Sequence, residues 1–246
     1  DLAKLTGVAT SLDDREQLTY ADAIAAGFRR GDVDAAGVLT AMERLAPSKT
    51  RQVATALIPS FKWIRNYLGD DATRPALDAF AARLYGGRMR ALGFVKRSAE
   101  AQDDTLLRGE LAHFLALDVR LPGVRAELLK RAKHLLEPDK DGRLTFSAVD
   151  ADLLGTALAI AVQELGAIAT DAVIAELGRQ SDPALRNAMV AALGATLDPA
   201  LGDRMRDFAL TDVVKIGEVA RLMEVNRERP ENRVGYWAWL QRRFGD

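Results

Sequence analysis

The chain has no cysteine and only two histidines, His113 and His134, in 246 residues. Without thiols there is no disulfide framework, no thiolate nucleophile and no Cys-built zinc or iron–sulfur site. The two histidines lie apart and neither belongs to an HExxH pair, the spacing that sets two imidazoles on one helix face, so metal chemistry is nearly starved of ligands. An excess of one charge is missing too. Lys plus Arg number 34 against 35 Asp plus Glu, a formal charge of −1, which leaves no broad basic footprint for a polyanion; neither a nucleic-acid partner nor a membrane is expected. No apolar run reaches the roughly 18 to 20 residues that cross a bilayer, and the longest candidate, residues 153–169, carries Gln163 and Glu164. The opening DLAKLTGVATSLDDREQ has neither an initiator Met nor an apolar signal core, so an excised or processed piece of a longer protein is expected. The absence of Cys permits cytoplasm or periplasm, with cytoplasm the expected compartment.

What is present is 48% hydrophobic and 28% charged residues, the balance of a soluble chain with a large core. Alternating strand patterns are nearly absent, whereas Ala, Leu, Arg and Glu recur at three-to-four spacing almost throughout, which predicts an all-α fold. Leu107, Leu111, Phe114 and Leu115 draw one apolar stripe, and Val124, Leu128, Ala132 and Leu135 draw another. Pro122 and Gly123 between them predict a short-linked helical hairpin. The pattern returns 78 residues later, with Asp182, Leu185, Arg186, Met189, Ala192 and Leu193 in the places of Asp104, Leu107, Arg108, Leu111, Phe114 and Leu115. Two periods of about 39 residues explain that shift and predict a HEAT-like α-α superhelix, in which each helix pair buries its stripe against the next. A middle copy at Leu153, Ala157 and Ile160 keeps the spacing but not the register. Helix starts are expected at Asp32 or Asp34, Ser48, Asp71, Asp104, Asp182 and Asp198, with Pro75, Pro183 and Pro199 in first turns. The sum is roughly eleven to thirteen short helices, and with no Ser/Gly-rich linker they form a single domain over residues 1–246.

No constellation supports catalysis within the chain. Glu137-Pro138-Asp139-Lys140-Asp141-Gly142-Arg143-Leu144 imitates a calcium loop, with oxygen ligands at positions 1, 3 and 5 and Gly at 6, but position 12 is Ala148 where a bidentate Glu is needed. A polar turn after a helix ending at Leu136 is the expectation. Gly86, Gly87 and Gly93 in YGGRMRALG follow no strand and precede no GK[ST], so they predict a helix break rather than a phosphate loop. There is no GxSxG elbow, and the carboxylates are accounted for by caps and solvated faces. Catalytic and metal-ligating residues are therefore expected to be none.

Three ordered stretches, DDREQLTYADAIAAG, DDTLLRGELAHFLALDVRLPGVRAE, and SDPALRNAMVAALGATLDPALGDRMRDFAL leading to RPENRVGYWAWLQRRF, together resemble the C-terminal helical domain of gluzincin zinc aminopeptidases of the aminopeptidase-N, puromycin-sensitive and endoplasmic-reticulum type. The resemblance covers essentially the whole chain. It implies a superhelical domain that packs over an upstream catalytic domain of the same polypeptide and roofs a cavity for peptide substrates. In the family, the zinc, its HExxH ligands and the distal Glu lie in that upstream domain, so no cofactor is implied for this chain. Family members continue past the position of Phe244, which implies that this chain lacks the last helices and exposes Trp237 and Trp239. A Tyr-Lys pair after an Ile-Pro step contacts the far end of a long peptide in some members. Here LIPSFKWI places Phe61 and Lys62 after Ile58 and Pro59, keeping the ammonium and losing the phenol. Arg108 and Arg186, at equivalent repeat positions, are further candidate substrate contacts on the concave face. The alternative function is a free-standing HEAT-like scaffold for protein partners; a calcium sensor would require the Glu137 loop to bind without its twelfth ligand.

Overall fold

The computed structural model describes residues 2–244, and among these every regular element is helical. The one extended pairing in them is an isolated antiparallel bridge between Pro138 and Leu144. The chain divides into two compact units, residues 1–93 with 98–121, and residues 94–97 with 122–246.

The first unit contains α1 (Leu2–Val8), α2 (Asp14–Arg30), α3 (Ala35–Leu45), α4 (Arg51–Thr55), α5 (Ile58–Trp63), α6 (Arg74–Leu92) and α7 (Gln102–His113). Local chemistry sets the boundaries. The Asp13 carboxylate accepts the Glu16 amide while Glu16 accepts the Asp13 amide, both at 2.9 Å. This reciprocal cap satisfies two orphan donors of α2 and contributes about 1 kcal/mol. Gly31 ends the helix in the left-handed region at φ 82°, where a side chain would be strained. Asp34 caps α3 through the Gly37 amide at 2.8 Å. Gly86 and Gly87 lie inside an unbroken α6; only Gly93, at φ 74°, ends it. The expected break at the glycine pair is absent because tertiary packing overrides their low helix propensity. Asp104 likewise falls inside the first turn of α7, one of two consecutive acids there, rather than at its cap.

The second unit contains α8 (Pro122–Leu136), α9 (Ala151–Leu165), α10 (Ala167–Leu177), α11 (Pro183–Gly194), α12 (Pro199–Phe208), α13 (Ile216–Glu228) and α14 (Arg233–Arg243). Pro122 and Gly123 form the first turn of α8 instead of a linker; the chain turns just before them, where Arg120 takes φ 57°. Asp182 and Asp198 cap α11 and α12 through paired amides, and Pro183 and Pro199 fill the first helical positions where no amide is needed. Alternate helices stack: α9 lies on α11 and α11 on α13, while α12 lies on α14. That layered order is the helix-pair packing the repeat predicts. Its core is Leu153, Ala157 and Ile160 of α9, Met189 and Leu193 of α11 and Leu222 of α13, all fully buried. Each large apolar side chain so buried contributes about 2 kcal/mol. The drifted middle copy is thus a working core face.

Among the described residues there are fourteen α-helical segments. Only Ala56 and Leu57 separate the short α4 from α5, so counting that interrupted pair once meets the expected number. Trp237 is exposed as anticipated, but Trp239 is not: its ring is buried and its Nε1–H donates to Asp207 at 2.9 Å. The expectation for Trp239 fails because the helix turns consecutive aromatics to different sides.

Candidate functional site

The residues that single out one place in the first unit are its two π-helical turns, Ile64–Leu68 after α5 and Phe114–Asp118 after α7. Each is closed by a backbone bond that reaches five residues back, Gly69 N–H to Ile64 O at 2.9 Å and Val119 N–H to Phe114 O at 3.0 Å. π turns are rare and concentrate at functional sites because they trade regular hydrogen bonding for a re-aimed side chain.

An aromatic core locks the two turns together. Phe61 is fully buried, edge-on to Phe114 with ring centres 5.6 Å apart and stacked on Phe80 at 6.1 Å. Tyr85 meets Phe114 edge-on at 5.8 Å and donates its hydroxyl to Ala54 O at 2.8 Å. Burial pushes the Tyr85 phenol up, so it stays a neutral donor. Arg65, inside the first π turn, is clamped through Nε and Nη2 on Asp78 at 2.5 and 2.9 Å. With Phe61 and Arg65 fixed inward, the residues between them have little freedom left.

Lys62 is the next residue. Its Nζ lies 3.2 Å from Oδ2 of Asp118, which ends the second π turn; the two side chains are 28% and 4% exposed respectively. The following residue, Trp63, is half exposed, edge-on to Phe28 at 5.4 Å and tilted on Tyr67 at 5.4 Å, and Tyr67 and Leu68 are exposed. The result is a partly open ammonium backed by a nearly buried carboxylate. Chemically, a partly open ammonium can hold a polar or anionic group.

The other residues singled out in the sequence lie elsewhere. Arg108 is fully buried, its Nη1 on both oxygens of Glu100 at 2.9 and 2.7 Å. Arg186 is buried in the second unit, where Nε and Nη2 hold the Glu218 carboxylate at 2.7 Å and Nη1 donates to Leu177 O and Gln180 O. The hydrogen bonds from Arg186 depress the Glu218 carboxyl below its ordinary value. Of the four candidates only Lys62 is partly exposed, and it lies in α5 two residues before the first π turn. Asp118, Trp63 and Tyr67 were missed; the signal for Asp118 is an acid placed directly after the apolar run FLAL.

The calcium-like loop has its own internal use for its ligands. Asp139 accepts the amides of Asp141 and Arg143 at 2.8 and 2.9 Å, Gly142 takes φ 68°, and the fully buried Glu176 receives Arg143 Nε at 2.9 to 3.0 Å. His113 ends α7 and His134 pairs with Glu137 at 3.3 Å. Among the described residues no group of three or more His, Cys, Asp or Glu is placed to hold a metal ion, so these residues do not fit a zinc centre. No described helix is long and apolar enough to cross a membrane.

In comparison with known families, residues 1–246 are similar throughout to the ERAP1-like C-terminal domain. No curated protein matches the chain.

Proposed function

The chain belongs to the ERAP1-like C-terminal domain family, part of the aminopeptidases, and from that premise we propose that it is the non-catalytic domain enclosing a peptide cavity over an upstream catalytic domain of the same polypeptide. The whole-length family match carries this proposal. In the proposal, zinc bound upstream supplies the activated water that removes the N-terminal residue, and this chain's own residues bind and orient the rest of the peptide. Lys62 is the residue we assign to the peptide's far end, because its ammonium is partly open while Phe61, Arg108 and Arg186 are buried. Phe61 acts behind it as the buried strut that fixes the helix. Arg108 and Arg186 would serve the cavity indirectly, by holding the segments around them through buried ion pairs.

The test is kinetic and uses the intact polypeptide. Chelator should abolish release of N-terminal residues and zinc should restore it. Lys62→Glu should raise KM for peptides of about ten residues by roughly tenfold, and by far less for a single-residue reporter too short to reach Lys62. Parallel changes for both substrate lengths would remove Lys62 from the contact surface, and no chelator-sensitive hydrolysis at all would leave the scaffold alternative standing.

A further inference from the structure

Lys62 does not meet a ligand as an isolated cation. Its ammonium already faces Asp118 at 3.2 Å, and Asp118 is fixed at the end of a π turn that is itself held by the Phe61–Phe114 ring contact. Resting on the assignment of Lys62 to the far end of a peptide, we propose that Asp118 is a positioning residue that sets how strongly the site distinguishes a terminal carboxylate from a neutral terminus.

Two effects of Asp118 act on the same ammonium. It holds the end of a flexible four-carbon stem in one place, which favours any ligand that uses that place. It also offsets the charge. A carboxylate seated about 3 Å from Nζ lies within about 6 Å of the Asp118 carboxylate, and since Coulomb energy falls as the inverse of distance, roughly half of the attraction is cancelled. The near-complete burial of Asp118 keeps that repulsion poorly screened by salt. Positioning helps charged and neutral termini equally, whereas the offset acts on the charged one alone. The native site therefore prefers the charged terminus only weakly, and removing the Asp118 charge strengthens that preference.

The experiment compares two peptides of about ten residues, identical except that one ends in a free carboxylate and the other in an amide. Their Kd values are measured by calorimetry on the chelator-treated intact polypeptide, so that neither peptide is trimmed. The native protein should bind the two within about threefold of each other. Asp118→Asn, which keeps shape and removes charge, should raise the ratio about threefold, to about tenfold in favour of the carboxylate peptide. Lys62→Gln should weaken the carboxylate peptide and, in either background, bring the ratio close to unity; a purely structural Asp118 would not show this dependence on Lys62. An unchanged or reduced ratio in Asp118→Asn, with Lys62→Gln still weakening the carboxylate peptide, overturns the role of Asp118 and leaves the Lys62 contact intact. An unchanged Kd in Lys62→Gln overturns the contact itself. Should Asp118→Asn not fold, the native ratio decides alone. A ratio flat from about 50 to 500 mM salt supports a pre-paired ammonium, and a high ratio that collapses with salt overturns it.

Discussion

Arg108 and Arg186, 78 residues apart, perform the same task in two different units: each buries its guanidinium and returns it to the segment that precedes its own helix. Arg108 reaches back to Glu100, and Arg186 to the carbonyls of Leu177 and Gln180 before closing on Glu218. The shared position is what survives of the repeat, because a buried arginine needs its partners and tolerates little drift.

Arg108→Met should destabilise the protein by about 3 to 5 kcal/mol, since it leaves the fully buried Glu100 carboxylate without its cation. Urea unfolding monitored by circular dichroism measures the loss. Arg108→Met combined with Glu100→Leu should recover most of it, because the uncompensated charge, more than the lost attraction, is the cost. A single-variant loss under about 1 kcal/mol would show that the pair is dispensable.

Acid should loosen the second unit through Glu218. Its carboxyl is held below its ordinary value of 4.5 mainly by the hydrogen bonds from Arg186, with burial opposing. A depressed folded value means that the unfolded chain takes up the proton first. The stabilisation is therefore fully present above that ordinary value and is lost as pH falls through the lower folded one. In Glu218→Gln the dependence of unfolding free energy on pH below about 4.5 should be shallower than in the native protein. An identical slope in both would assign acid sensitivity to other carboxylates.

Much of this architecture is legible in the residues because it is decided locally. Asp34, Asp182 and Asp198 cap helices as their sequence context predicts, and the apolar stripes of α9 and α11 are core. Arg108 and Arg186 sit at inward spacing with Leu115 and Leu193, seven residues on, so their burial could have been inferred from the same periodicity. The Lys62–Asp118 pair could not. It joins residues 56 positions apart, and its carboxylate ends a π turn, where a one-residue change of winding re-aims a side chain by about 100° without altering composition or spacing. Trp239 illustrates the same limit, since its burial depends on Asp207 being within reach of the indole.

Calcium at millimolar concentration should leave the thermal midpoint unchanged. The Asp139 carboxylate is occupied by two amides and the nearby Glu176 by Arg143, while Ala148 supplies nothing at position 12, so about two of seven ligands are missing. A ligand that bound the folded state would raise the midpoint in a saturable way. Such a rise, lost in Asp141→Ala, would establish a calcium site.

The close stacking of α11 on α13 makes one substitution harmful that is beneficial on a neighbouring helix. Glycine in a helix interior ordinarily costs about 1 kcal/mol relative to alanine, so Gly→Ala should stabilise wherever a methyl group fits. At Gly155 in α9 the added carbon would meet only Ala188 Cβ at 3.8 Å, an ordinary contact, and Gly155→Ala should gain about 0.5 to 1 kcal/mol. At Gly194, the last residue of α11, the same carbon would stand 2.6 Å from the Leu222 carbonyl oxygen and 3.1 Å from Val225 Cβ. Neither neighbour is the free end of a flexible chain, so α13 itself must move, and overpacking of that kind costs about 1 to 3 kcal/mol. The two variants should therefore shift the thermal midpoint in opposite directions in the same buffer. Stabilisation by Gly194→Ala would mean that α11 and α13 do not approach closely in solution, and it would remove the main contact of the stacked layer.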